Sequence, residues 1–277
     1  MYDFQFGSKD KINAQPIDWL IFIKRMLPRW CNSIPDSEFV ALHETLALLD
    51  GKQRPVLVET GCGASTIVLL EYALRNNGIL YSWDTNALKG SHVRTICMET
   101  LGKHYEQQNL WRHWRFVGYD SRSLHAGIPA LAELNETVDL CFLDSEHTLD
   151  TLQSELEALT PLFAEKAFVA IDDANYSYRH VNEAYVNMIR SKLGLPPTDD
   201  FGDDNNSEPF HKEVANFLRG KFSTVEKLQD SYKQACHSDI FFDYYSADRQ
   251  TMNELGMEKN AEREHRFDAW LIENRFK

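Results

Sequence analysis

From Arg54 to Asn175, short apolar runs alternate with helical apolar stripes. Val56-Leu57-Val58 is unbroken, as expected of a strand buried on both faces. Glu59 ends it, Gly61 and Gly63 turn the chain, and Ser65 and Thr66 open the helical run Ile67 to Leu74. Asn76-Asn77-Gly78 makes a turn, and Ile79 to Asp84 reads as a second strand ending on an acid. A helix spans His92 to Tyr105, Trp114 to Val117 is a third strand, and a helix runs from about Ala126 to Leu134. Val138 to Asp144 is a fourth strand. Leu149, Leu152, Leu156 and Leu159 then form one helical stripe, read as core, and Ala167 to Ile171 is a fifth strand. Strands alternating with helices predict a doubly wound, mostly parallel α/β sheet.

On either side the pattern changes. Residues 1–15 are polar and expected to be loose. An apolar helix is predicted over Pro16 to Leu27, and a second starts at Asp36 or Ser37, with Phe39, Leu42, Leu46 and Leu49 on one face and Gly51 at its end. These two helices are open to covering a sheet edge, walling a pocket or packing on a second subunit in a homo-oligomer. After Tyr178, a helix from about His180 to Leu193 leads through Leu195-Pro196-Pro197 into the acidic, apolar-poor stretch Thr198 to Pro209, which reads as a flap or insertion (about 195–220). Phe210 to Leu218 looks helical, Phe222 to Leu228 and Arg266 to Glu273 look like two last strands, and Gln250 to His265 is largely helical. With no repeat and no clear linker, residues 51–277 read as one α/β domain and 1–50 as a helical extension.

Of the 277 residues, 43% are hydrophobic, enough for a sizeable core. Lys plus Arg is 29 and Asp plus Glu 42, a net charge of −13 that argues against nucleic acid as the main partner. Five cysteines, at 31, 62, 97, 141 and 236, form no Cys-x-x-Cys pair and read as reduced, mostly buried residues. The N-terminus lacks the basic start and apolar core of a signal peptide, and Trp19 to Ile23 is too short to cross a bilayer. The expectation is a cytoplasmic protein with no membrane partner.

The candidate chemistry lies where the strands end. A buried strand turning through glycines into a helix leaves free N–H groups beside open space. Glu59 before them disfavours a pyrophosphate and suits a ligand with an ammonium group; otherwise the glycines only reverse the chain. Asp84, 25 positions after Glu59, either accepts from ribose hydroxyls or caps the next helix. Gly118, Tyr119, Asp120 and Ser121 either fold over an adenine or form a plain turn. Asp144, Asp172 and Asp173 fall at carboxyl ends of strands, where so many acids favour a hard cation such as Mg²⁺ or Ca²⁺; singly, Asp144 and Asp172 read equally as helix caps. His147, three residues beyond Asp144, is a candidate general base, although a lone histidine at a helix start is usually structural.

Taken together, Glu59-Thr-Gly-Cys-Gly63, Asp84, Asp144-Ser-Glu-His147 and Ile171-Asp172-Asp173 resemble the class I S-adenosylmethionine-dependent methyltransferases, in particular the branch that includes macrocin-type sugar and natural-product O-methyltransferases. The resemblance covers residues 54–175. It implies a seven-stranded sheet closed by an antiparallel hairpin, S-adenosylmethionine as cofactor and a small-molecule or glycan acceptor. It implies that Glu59, Gly61, Cys62, Gly63, Ser65 and Thr66 surround the methionine part, that Asp84 holds the ribose and that Gly118 to Ser121 lie near the adenine. Asp144, also beside the cofactor, would hold Mg²⁺ with Asp172 and Asp173, and His147 would take the proton of the acceptor hydroxyl. Catechol-type relatives are similar in placing a base three residues after the metal-binding acid. The chain departs at the second acid pair: macrocin-type enzymes tend to have Glu-Asp and catechol-type ones Asp-Asn, where this chain has Asp172-Asp173. The rival readings are an NAD-type oxidoreductase, which would want a third glycine near Thr66 and no Glu59, a non-catalytic cofactor-binding member, and a metal-independent methyltransferase.

Overall fold

Seven strands form one sheet in the order β3-β2-β1-β4-β5-β7-β6. The computed structural model describes residues 9–14, 16–32, 34, 36–49, 51–146, 148–174, 187–188, 190–198, 210–228 and 267–276. Strands β1 (Val56–Thr60), β2 (Ile79–Trp83), β3 (Trp114–Val117), β4 (Val138–Leu143) and β5 (Phe163–Ile171) are parallel. The last two, β6 (Phe222–Leu228) and β7 (Asp268–Arg275), form an antiparallel hairpin whose β7 lies against β5. That reversed strand between β5 and β6 departs from the sheet order of dinucleotide-binding folds.

The helices among the described residues are α1 (Lys9–Ala14), α2 (Pro16–Arg25), α3 (Asp36–Ala47), α4 (Ala64–Arg75), α5 (Ala87–Cys97), α6 (Leu149–Leu159) and α7 (His211–Arg219). One apolar cluster joins α2 to α5 to the sheet face that carries Leu57, Leu80, Leu140 and Phe168. The opposite cluster packs α6 and α7 on Val56, Val58, Cys141 and Val169. Adjacent residues of β1 therefore enter different cores, which explains why the strand has no polar alternation.

Helix α4 is buried from Ala64 to Leu74. Its apolar residues face all round, which only a covered helix tolerates, and α2 and α3 provide that cover. The N-terminal helices thus lie over a helical layer on the sheet's face. Their junction is held by Lys24, fully buried, whose Nζ donates to Asp36 Oδ1 at 2.9 Å, while Arg25 donates to Oδ2 at 2.6 Å. Asp36, expected as a cap, gives its carboxylate to these two cations.

Several boundaries differ from the sequence pattern. Residues 9–14, expected to be loose, form α1, because Ile12 reaches the core at 2% exposure. Helix α5 starts earlier than His92, because Asn86 caps it by accepting from the Leu88 and Lys89 amides, and a π-helical turn, Met98–Gly102, follows it. Ile128–Leu134 is 3₁₀ rather than α. Strand β5 begins at Phe163, which pairs with Val138 of β4, and from Lys166 onward it also pairs with β7. Most of the predicted helix 180–193, the acidic stretch 199–209, Cys236 and the predicted helix 250–265 lie outside the described residues. Cys31, Cys62, Cys97 and Cys141 are free thiols and buried. No helix among the described residues is long and apolar enough to cross a membrane.

Candidate active site

Register brings the candidate residues to one level. Thr60 pairs with Trp83 and Leu143, Trp83 with Val117, and Leu143 with Ile171. The residues one step beyond, Gly61, Asp84, Gly118, Asp144 and Asp172, therefore leave the sheet side by side. Backbone bonds continue the ladder there: Gly61 N to Trp83 O at 2.8 Å, Asp84 N to Val117 O at 3.2 Å, Asp144 N to Thr60 O at 2.9 Å and Asp172 N to Leu143 O at 3.0 Å.

A cavity of about 360 Å³ opens at this edge, within the usual range for small-molecule sites. Of the candidates read from sequence, Gly61, Asp84, Tyr119, Asp120, Ser121 and Asp144 line it, together with Thr60, Trp83, Lys89, Arg122 and Glu146. Glu59, Cys62, Gly63, Ser65, Thr66 and Gly118 are not among the lining residues. His147 lies outside the described residues.

Gly61 has φ +84°. A Cβ there would stand 1.8 Å from the Asp144 carbonyl oxygen, so the turn after β1 runs directly against the end of β4. Gly63 is crowded from the other side: a Cβ would meet the Cys31 carbonyl oxygen at 2.7 Å. The α2–α3 connection therefore passes over the glycine turn.

Glu59 is fully buried beneath that turn. It accepts from Ser82 Oγ at 2.5 Å, Thr66 Oγ1 at 2.7 Å and Ser65 Oγ at 2.9 Å, tying β1, β2 and the start of α4 together. Burial pushes its pKa up to about 7, while these hydrogen bonds and the Lys89 charge oppose the rise. Below about pH 4.5 the residue is protonated in both folded and unfolded chains and has no effect on the balance. As pH rises towards 7 the unfolded chain ionises first, so stability falls, by about 3 kcal/mol over the window. Glu59→Gln is expected to remove this part of the slope; urea melts at pH 5 and pH 8 measure it, and an unchanged difference between the two pH values would refute the assignment.

Asp84 stands at the end of β2, with Oδ1 accepting from the Asn86 amide at 2.8 Å and Oδ2 paired with Lys89 Nζ at 3.1 Å. Asn86, not Asp84, caps α5. Burial lowers the Lys89 pKa, but the charge of Asp84, its hydrogen bond and the charge of Asp144 raise it more, so the ammonium stays charged. Sequence reasoning missed Lys89; a lysine one turn into the helix after the strand-end acid is the signal that marks it.

Asp120 is turned back into its own loop by Arg122, which donates from Nε at 3.0 Å and from a terminal nitrogen at 2.8 Å. That pairing holds the Asp120 carboxyl below its ordinary value. Ser121 Oγ donates to Glu155 Oε1 at 2.6 Å, and Thr60 Oγ1 reaches Glu155 Oε2 at 3.3 Å. Glu155, buried on α6, thus holds the end of β1 and the loop after β3. Burial raises its pKa against the bonds from Ser121, Ser145 and Thr60. Its signal was a glutamate inside the Leu152–Leu159 apolar stripe.

At the far end of the cavity, desolvation of the Asp144 carboxyl and the charges of Asp172 and Asp173 push its pKa well up, against Lys89. Asp144 does not cap α6; Thr148 does. Asp172 and Asp173 are buried and come together with Glu38 of α3, which sequence reasoning had read only as part of a helix start. Asp172 Oδ1 makes no hydrogen bond, so the donor set, all hard oxygen with an orphaned buried acceptor, fits a divalent cation.

Against this geometry, residues 58–174 match the family profile of the methyltransferase domain. The match takes in the glycine turn, Asp84, Asp144, Asp172 and Asp173. Among solved structures, a Staphylococcus aureus protein described as a caffeoyl-CoA O-methyltransferase is 12% identical, with a TM-score of 0.50 over 96% of both chains. A Klebsiella pneumoniae protein described as an O-methyltransferase is 14% identical, with a TM-score of 0.46 over 95% of this chain and 94% of that one. CalS11, a TDP-rhamnose 3'-O-methyltransferase of calicheamicin biosynthesis, is 17% identical; the match has a TM-score of 0.40 and spans 50% of this chain and 61% of CalS11. At these identities the likeness is one of fold. No curated protein matches the chain. The cavity lies at the carboxyl edge of the parallel strands, where ligands of open α/β sheets bind.

Proposed function

We propose that the chain transfers a methyl group from S-adenosylmethionine to a hydroxyl of a sugar or small natural product, assisted by a divalent cation and with His147 as general base. The observation that carries this reading is the single-level edge of a methyltransferase domain: Gly61, Asp84 and Asp144 stand side by side around a 360 Å³ cavity. The acceptor class follows the sequence resemblance and agrees with the net charge of −13, which disfavours a nucleic-acid backbone.

Bound S-adenosylmethionine supplies a methyl group on a sulfonium, open to in-line attack. The chain's part is to bind, orient and deprotonate. Asp84 accepts from the two ribose hydroxyls, and Gly61 lets the backbone approach the ligand. Glu59 acts from beneath by fixing the turn. Lys89 balances the acids that face the cavity, and Tyr119 and Ser121 stand where the base would lie. His147 takes the acceptor proton. Asp172 and Asp173 would hold the cation, whose chemistry there would be to orient the acceptor hydroxyl and lower its pKa.

Calorimetric titration with S-adenosylmethionine and with S-adenosylhomocysteine, with and without Mg²⁺, tests this directly. Micromolar binding is expected, weakened about thirtyfold (~2 kcal/mol) in Asp84→Ala by loss of two charge-assisted hydrogen bonds. Binding of neither ligand would remove the methyltransferase reading.

A further inference from the structure

Glu38, Asp172 and Asp173 each bring a carboxylate oxygen within 4.8 Å of the other two. Their exposures are 3%, 6% and 4%. Asp172 and Asp173 follow β5 on the sheet edge, whereas Glu38 comes from the first turn of α3, in the helical cover. Asp144 is not a member of this group, although it shares a hydrogen bond with Asp172 and lines the neighbouring cavity.

Two considerations make this more than a crowd of acids. Oxygens bound to a single Mg²⁺, Mn²⁺ or Ca²⁺ ion stand at most about 4–5 Å apart, given metal–oxygen distances of ~2.0–2.6 Å, and the three oxygens fall within that limit. Independently, Asp172 Oδ1 is buried and accepts no hydrogen bond, a cost that a cation within the cluster removes.

We propose that Glu38, Asp172 and Asp173 form a binding site for a hard divalent cation, so that the ion joins the N-terminal helices to the catalytic edge of the sheet. The ligand set differs from the trio Asp144, Asp172 and Asp173 implied by resemblance: α3 supplies the third carboxylate, and Asp144 stays at the cavity wall. A catalytic use of the ion rests on the methyl-transfer reading; its binding does not. The site also gives the extension a function, since an ion bound there fastens the α2–α3 cover that passes over the glycine turn.

The test is titration of the EDTA-stripped full-length protein with MnCl₂, read by calorimetry and by Mn²⁺ electron paramagnetic resonance, with S-adenosylhomocysteine titrated into the same samples. One Mn²⁺ per chain is expected. Glu38→Gln and Asp173→Asn should each weaken it by about tenfold or more, and Asp144→Asn should weaken it less than either. Glu38→Asp keeps the charge but shortens the reach, and should also weaken Mn²⁺, so the test survives if the amide variant fails to fold. S-adenosylhomocysteine affinity should persist in both Glu38 variants. Absence of Mn²⁺ binding in the wild type, or wild-type Mn²⁺ affinity in both Glu38 variants, would overturn the site. Mn²⁺ binding that depends on Glu38 in a protein that binds no S-adenosylhomocysteine would uphold the site and sink the methyltransferase reading instead.

Discussion

Gly61→Ala is expected to cost about 4 kcal/mol of folding stability and to abolish cofactor binding. Two terms add. The backbone at Gly61 is left-handed, with φ +84°, which costs an L-residue about 1–2 kcal/mol. The new methyl would meet the Asp144 carbonyl oxygen at 1.8 Å, and relieving such a clash costs about 1–3 kcal/mol because the atom struck is backbone. The displaced groups, the turn after β1 and the end of β4, carry Asp144 and the cavity wall. The melting temperature should fall by about 10 °C, and calorimetry should show no S-adenosylhomocysteine binding. A variant that melts within about 2 °C of the wild type and binds normally would mean that the turn tolerates a side chain and is not the close-approach point assigned to it.

His147→Ala is expected to lower turnover by about 10²–10⁴-fold, the usual contribution of a positioned base, while S-adenosylhomocysteine affinity stays nearly unchanged. The argument is one of chain position. His147 follows Asp144, a cavity residue, by three positions and immediately precedes Thr148, the cap of α6. The wild-type pH–rate profile should lose activity on its acid side as the base protonates, and this limb should vanish in the variant. Single-turnover measurement with an accepted substrate separates this loss from effects on binding. Turnover close to that of the wild type would disprove the base assignment.

The order of strands and helices was readable because it is local. Val56-Leu57-Val58 feeds two cores, Ile67 to Leu74 is apolar all round, and Leu149 to Leu159 carries a single stripe; each pattern reports which faces of an element meet water. The same logic failed where burial depends on a distant partner. Residues 9–14 look polar, and only the docking of Ile12 into the core makes them a helix. The sequence pattern starts the fifth strand at Ala167, whereas Phe163 pairs with Val138 of β4 and Lys166 with Glu273 of β7, about a hundred positions away.

The chemistry of the edge divides in the same way. The sequence alone determined that this is an α/β chain, and that Gly61, Asp84, Asp144, Asp172 and Asp173 follow its strands, because strand ends and turn residues are written in neighbouring positions. Tertiary structure alone decided that four of these positions, Gly61, Asp84, Asp144 and Asp172, stand at one level with Gly118, since parallel register is a property of pairs of strands. It also decided that Glu59 faces inward, that Lys89 pairs with Asp84, that Glu155 holds the end of β1 and the loop after β3, and that Glu38 of the N-terminal extension meets Asp172 and Asp173. Each of these joins residues through space, and no pattern along the chain encodes a carboxylate arriving from another element.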